Sequence, residues 1–244
     1  MRNKDIAICL RTVDYSETSQ IATLFCREAG KISAIAKGSR RKKSSFDGPL
    51  EIFTYGDVIY TLPKQDGSLA TLIELDQRPV FVGLRHRLYT MNCALFAAEL
   101  TNKFTQDFDP HPDLFDNFVQ FLQDLRTSED ETAAIRLLVI FQLTLLSDIG
   151  SGLILSRCAN CSAPYSSTWP RIYFTSQAHG IVCPDCEISY PDKIRLSRTS
   201  AACISDLQKF KNADPDRVRE IERLLVRHFT ELLHKPPRMA KFFS

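Results

Sequence analysis

At Pro79 the spacing of apolar residues changes, and with it the class of structure the chain can adopt. From Lys4 to Leu75 hydrophobic positions alternate in short runs, the period of half-buried strands. Beyond Pro79 they recur at helical spacing, as in Leu84, Leu88, Met91, Leu95 and Ala98. A sequence written in two periods is neither one sheet nor one bundle, so a multidomain chain of separate β and α parts is expected.

The first part reads as five strands. Ile6, Ile8 and Leu10 share a face of the first, and Ile21, Thr23 and Phe25 share a face of the second, with the polar turn Asp14–Ser19 between them. Gly30 leads into the third, where Ile32, Ala34 and Ala36 alternate. Glu51–Tyr60 and Ser68–Leu75 follow, joined by a turn that ends in Asp66 and Gly67. Five short strands, with Gly56 inside the fourth, suit a small closed Greek-key barrel of the OB-fold kind.

Charge concentrates in this part. The stretch Lys31–Ser44 holds six basic residues (Lys31, Lys37, Arg40, Arg41, Lys42 and Lys43) and no acid, in a chain of formal net charge only +2. Gly38 and Ser39 break the strand, so four consecutive cations project from a loop, as tracking a polyphosphate backbone requires. A solvated charged loop is the bland alternative. Barrels that bind single strands add aromatic platforms, for which Phe25, Phe46, Phe53, Tyr55 and Tyr60 are available. Alternating strand aromatics usually bury, so most of these are expected in the core. Phe46 is the expected exception, since it lies in the polar loop.

Beyond Pro79, a second helix follows a proline-rich break with Pro112 in its first turn, and Leu114, Phe118, Phe121 and Leu125 form its stripe. A third, opened by a Ser128–Glu131 capping box, runs to Gly150 and is apolar almost all round, as a central bundle helix would be. Helical spacing resumes from Ser197 to Phe210. Asp214 and Pro215 then open a last helix that buries Val218, Ile221, Leu225, Phe229 and Leu232. Arg219, Arg223 and Arg227 lie on another stripe, with Glu220 and Glu222 placed to neutralise them. The tail adds Lys235, Arg238 and Lys241 beside Phe242 and Phe243, a combination suited to an acidic and aromatic partner segment or to docking on the bundle.

Four of the eight cysteines form two Cys-x-x-Cys pairs, Cys158 with Cys161 and Cys183 with Cys186, separated by 21 residues that read as two short strands around Tyr165 and Ile172–Phe174. This is close to zinc-ribbon spacing, and no βαβ context supports a redox motif. Four thiolates close a tetrahedron, so one structural zinc ion is expected. His179, between the pairs, is expected at the surface. Cys9, Cys26, Cys93 and Cys203 sit in apolar segments and read as small buried hydrophobes.

Several classes are disfavoured. No basic-then-apolar leader pattern and no span of bilayer-crossing length occurs, so a soluble intracellular chain with no membrane partner is expected. The five histidines are scattered (His86, His111, His179, His228, His234), and no HExxH, His-x-Glu or P-loop pattern appears.

Barrel, basic loop, helices and a late ribbon, in that order, resemble the bacterial DNA repair protein family RecO. The likeness is most specific in Leu10–Ser44, with its Arg11, Tyr15, Glu17, Ser19 spacing, Gly30 and AKGSRR, and in LSDIGSGLILSRCANC with the later CPDC. It implies an OB-fold at 1–78, an all-α helical bundle at 79–155 and 190–244, and an inserted four-cysteine, zinc-ribbon-like module at 156–189. It also implies a cytoplasmic, nucleoid-associated recombination mediator, not an enzyme. Such a mediator binds single- and double-stranded DNA, anneals strands coated by single-stranded-DNA-binding protein (SSB), contacts the SSB C-terminal tail, and acts with RecR to load RecA. Arg11, Lys31, Lys37, Arg40, Arg41, Lys42 and Lys43 are then the expected DNA contacts. An RNA-binding or ribosome-associated barrel with a zinc ribbon would use the same loop and is the alternative.

Overall fold

A computed structural model describes residues 2–41, 44–46, 48–62 and 69–243. The five strands are β1 (Arg2–Asp14), β2 (Gln20–Cys26), β3 (Gly30–Ala36), β4 (Tyr55–Thr61) and β5 (Ala70–Arg78). They close in the order β1-β2-β3-β5-β4, with β3 and β5 parallel and the other pairs antiparallel. This is the expected OB-fold barrel. Closure depends on Gly56, where a Cβ would fall 1.8 Å from the Asp76 carbonyl oxygen on the paired strand. The expected turn at Asp66 and Gly67 lies outside the described residues.

Two strands face opposite to expectation. The barrel interior holds Ala7, Cys9, Ala22, Leu24 and Cys26, so the expected stripe of Ile8, Leu10 and Phe25 points outward. The reason is volume, because a five-stranded barrel is narrow, and small residues on β1 and β2, with Ala34, Ala36 and Ala70, leave room inside for Ile32, Phe46, Leu50, Tyr60, Leu72 and Leu75. Phe25 is still fully buried, its ring 5.7 Å from that of Phe115.

The helices are α1 (Leu88–Phe104), α2 (Pro112–Thr127), α3 (Glu131–Asp148), α4 (Arg198–Ile204), α5 (Leu207–Phe210) and α6 (Pro215–Leu233). α2 starts at Pro112 as expected. α3 is capped by Asp130, which accepts from the Ala133 amide at 2.8 Å, and not by Ser128. α1 starts only at Leu88, which is exposed, and its buried positions include Cys93, Ala94, Phe96, Ala97, Ala98 and Leu100. None of the described helices is long and apolar enough to cross a membrane.

The chain forms two compact units, residues 1–87 with 98–126 and residues 88–97 with 127–244. α2 thus groups with the barrel, where Arg27 clamps Asp116 through Nε and Nη2 at 2.9 and 2.8 Å, although the sequence places residues 79–155 in one bundle. In the second unit α3 and α4 pack on α6, and Asp214 caps α6 as expected, accepting from the Arg217 amide at 3.1 Å. A small sheet, ordered β7 (Gly180–Val182), β6 (Ile172–Thr175) and β8 (Ile194–Leu196), accompanies the cysteine pairs. Tyr165 lies outside it.

Candidate nucleic-acid interface and metal centre

The basic loop is fastened at both ends by one buried side chain. Gln20, at the start of β2, accepts through Oε1 from Ser39 Oγ (3.0 Å) and the Leu50 amide (2.9 Å), and donates through Nε2 to the Leu50 carbonyl (3.1 Å). Phe46 then seals the barrel core at 2% exposure, which corrects the expectation that it stands free. Ser45 Oγ donates to the Ile73 carbonyl at 2.8 Å. The loop is anchored by its apolar and amide groups, which leaves Lys37, Arg40 and Arg41 outside.

Those cations gather where β1 ends. Arg11, Lys37, Arg40 and Arg41 are exposed. The Arg40 amide donates to the Thr18 carbonyl at 3.1 Å, and its guanidinium pairs with Asp14 at 2.8 Å, which ties the loop to the β1–β2 turn. Lys42 and Lys43 lie outside the described residues. Lys31, also expected at the DNA, is engaged apart from this group. Its ammonium donates to the carbonyls of Asn102 (2.8 Å) and Thr105 (2.6 Å) at the end of α1 and lies 3.4 Å from Asp107, so it neutralises a helix C-terminus. Phe25, Phe53 and Tyr60 are buried, in keeping with a core role. Gln20 was not legible as functional, because its partners lie 19 and 30 residues away.

In the second unit the four thiols of Cys158, Cys161, Cys183 and Cys186 converge, with their sulfurs all within 4.8 Å of one another. Cys161 Sγ and Cys183 Sγ are 3.8 Å apart, too far for a disulfide and close to the edge of a tetrahedron with bonds of about 2.3 Å. Ser162, at φ 62°, turns the first knuckle, and the Cys183 amide donates to Cys158 Sγ at 3.4 Å. Asn160 Nδ2 donates to Cys186 Sγ at 3.2 Å and is itself oriented by the Tyr190 hydroxyl at 2.9 Å. Burial works against a thiolate at Cys158, but donors from Cys161, Cys183 and Asn160 outweigh it and bring the group down to about 7. Burial and the neighbouring Cys186 push Cys183 up to about 12. Four sulfurs so placed ionise together only around a cation, so the donor set fits a metal ion. Cys9, Cys26, Cys93 and Cys203 are buried, as expected.

His179 is not a surface residue. Half-buried at φ 50°, its ring meets that of the fully buried His228 edge to face, with centroids 5.4 Å apart.

Beside α6 the cations of the last stripe and of the tail meet. Arg223, Arg227, Arg238 and Lys241, with Val226, Pro236, Pro237 and Ala240, line a groove of about 680 Å³. Arg219 faces Glu131 at 3.9 Å and Arg227 faces Glu231 at 3.6 Å. The expected neutralisers are engaged otherwise, since Glu220 accepts from Ser197 and Ser200, and Glu222 is buried against Gln142. Phe243 stacks on Phe96 at 5.2 Å, while Phe242 stays exposed.

Comparison with known proteins agrees with this architecture. A family model described as recombination protein O N terminal matches residues 1–78, ending where β5 ends, and one described as recombination protein O C terminal matches residues 85–241. The chain belongs to the RecO family. Relatives named DNA repair protein RecO include that of Anaeromyxobacter dehalogenans strain 2CP-C, 34% identical over 211 residues, which are 85% of this chain and 80% of the relative. The RecO of Rhodopirellula baltica is 30% identical over 213 residues (87% and 77%), and that of Bacillus pumilus 29% identical over 248 residues (99% and 93%). The barrel is thus the family's OB-fold, and the chain is a DNA repair protein of the RecO family.

Proposed function

We propose that this RecO-family chain is a recombination mediator and not an enzyme. It binds single- and double-stranded DNA, anneals complementary strands, including strands coated by SSB, and acts with RecR to load RecA in the bacterial cytoplasm at the nucleoid. The observation that carries the reading is the Gln20 clamp, which fixes the loop that presents Lys37, Arg40 and Arg41, all exposed like Arg11. Annealing needs two polyanions neutralised at one surface and contacts that exchange, and an exposed cationic loop supplies both without sequence preference. Lys42 and Lys43 extend the same run.

The four cysteines hold one zinc ion in a structural role, because a full set of thiolates leaves no position for substrate or water. The groove beside α6 suits the SSB C-terminal tail, an acidic and aromatic segment, with four cations around an apolar floor.

The test is the annealing rate of complementary oligonucleotides coated with SSB, with wild type and with Arg40, Arg41, Lys42 and Lys43 all changed to alanine. The wild type should accelerate annealing, and the folded variant should lose most of the effect. No acceleration by the wild type would overturn the reading.

A further inference from the structure

Cations alone cannot tell a single strand from a duplex, since both present phosphates. Discrimination needs a surface that takes an unstacked base, and Phe25, Phe46, Phe53 and Tyr60 are all in the core. Among the described phenylalanines and tyrosines of the barrel unit, two are exposed, Tyr15 at 63% and Phe108 at 47%. Phe108 stands between Asp107 and Asp109, where a nucleic-acid backbone is repelled.

Tyr15 stands among the cations. Arg11, Val13 and Tyr15 lie at alternate positions running out of β1, and all three are exposed. The Tyr15 amide donates to the Ser19 carbonyl at 2.9 Å, which closes a tight turn. That turn is bound to the basic loop by the Arg40 amide on Thr18 (3.1 Å), the Gly38 amide on Ser19 Oγ (3.3 Å) and the Arg40–Asp14 ion pair (2.8 Å). An exposed ring is therefore held on a fixed backbone next to residues that take phosphates.

We propose that Tyr15 is the base-stacking platform of this face, and that it, not the cations, makes the site favour single strands over duplex. This role for the ring rests on the DNA-binding reading above. Every base offers a π-face, so the ring binds without sequence preference, and in a duplex those faces are hidden by neighbouring bases. Strand pairing then withdraws the base from the ring, so the annealed product keeps only the cation contacts to its backbone and is held less tightly.

Three probes of one length test this by fluorescence anisotropy: a mixed-sequence single strand, an abasic single strand and a duplex. Tyr15→Ala should weaken binding of the mixed strand roughly five- to a hundred-fold. It should leave the abasic strand, the duplex and the salt dependence nearly unchanged, and Tyr15→Trp should restore mixed-strand affinity. Arg41→Ala should instead weaken all three probes. Equal loss on all three with Tyr15→Ala, or no loss on the mixed strand, would overturn the role of the ring and leave the DNA-binding reading standing. If the wild type binds none of the probes in a salt-dependent way, both fall.

Discussion

Glu222 points from α6 into its packing against α3 and is 1% exposed. Its Oε1 accepts from Gln142 Nε2 at 3.0 Å, while its Oε2 and the Gln142 Oε1 are buried without a partner. Burial raises the carboxyl from 4.5 to about 8, against the lowering effect of the Gln142 bond, so the side chain is a neutral acid near pH 7. An acid raised in the fold contributes stability that is fully present below its unfolded value near 4.5 and is lost as pH rises through about 8. His228 works the other way: burial and then the nearby His179 lower it from 6.5 to about 4, so its contribution is lost as pH falls through that window. Glu222→Gln should remove the alkaline decline, gaining on the order of 4 kcal/mol at pH 8 and little at pH 5, with the acid limb intact. Urea midpoints across that range check it, and parallel wild-type and variant curves would overturn it. None of this was legible in the sequence. Helical spacing puts Glu222 one step from Arg223, which suggests a surface neutraliser, but which side of a stripe faces the core is fixed by the helix packed on it. Gln20 was hidden for the same reason, since its worth arises only when Ser39 and Leu50 close on it. Asp214 and Pro215 were legible because a cap is satisfied within its own turn.

At the scale of elements, local signals survived, and facing signals survived in β3, α2 and α6 but not in β1 and β2. The five strands, the Pro112 start of α2 and the two cysteine knuckles depend on residues close in sequence. On β2 the inversion has a visible cause, because Phe25 packs outside the barrel on Phe115 of α2 while Ala22, Leu24 and Cys26 stand inside. The ribbon is the element with the least apolar packing of its own, a cluster of Cys158, Val182, Cys183 and Cys186 edged by Trp169, Tyr173 and Tyr190. So small a core would make an ion held by the four thiolates its main source of order, and structural zinc contributes folding free energy on the order of 10 kcal/mol in such modules. Cys183→Ser should therefore abolish zinc retention and lower the melting temperature of the unit that holds the ribbon, with chelation of the wild type doing the same. The DNA affinity of the barrel should change little, because its cations are held by Gln20 and the β1–β2 turn. A zinc-free variant as stable as the wild type, measured by metal analysis and calorimetry, would remove the structural role.

Over the whole molecule 31 basic and 29 acidic side chains nearly cancel, so attraction to a polyanion depends on where charges stand and not on their sum. The barrel separates them. Asp5, Asp57, Glu74 and Asp76, with Lys4, line a groove on β1, β4 and β5, while Lys37, Arg40 and Arg41 stand exposed by the β1–β2 turn and Arg11 on the last stretch of β1. With four to six cations of the run meeting phosphates, the logarithmic salt slope for a single strand should be roughly −3 to −4. Arg40 is the member held in reserve, since its guanidinium is shared with Asp14 at 2.8 Å. Asp14→Asn should free it, tightening binding and steepening the slope by roughly 0.7 of a unit, and adding Arg40→Ala to Asp14→Asn should bring the slope back to about its wild-type value. Asp76→Asn changes the net charge as Asp14→Asn does, yet it acts on the acidic groove and should leave the slope unchanged. Titrations of single-stranded DNA at several salt concentrations separate the cases. If the two asparagine variants moved together, the chain would be responding to its total charge, and the basic loop would hold no privileged place in binding.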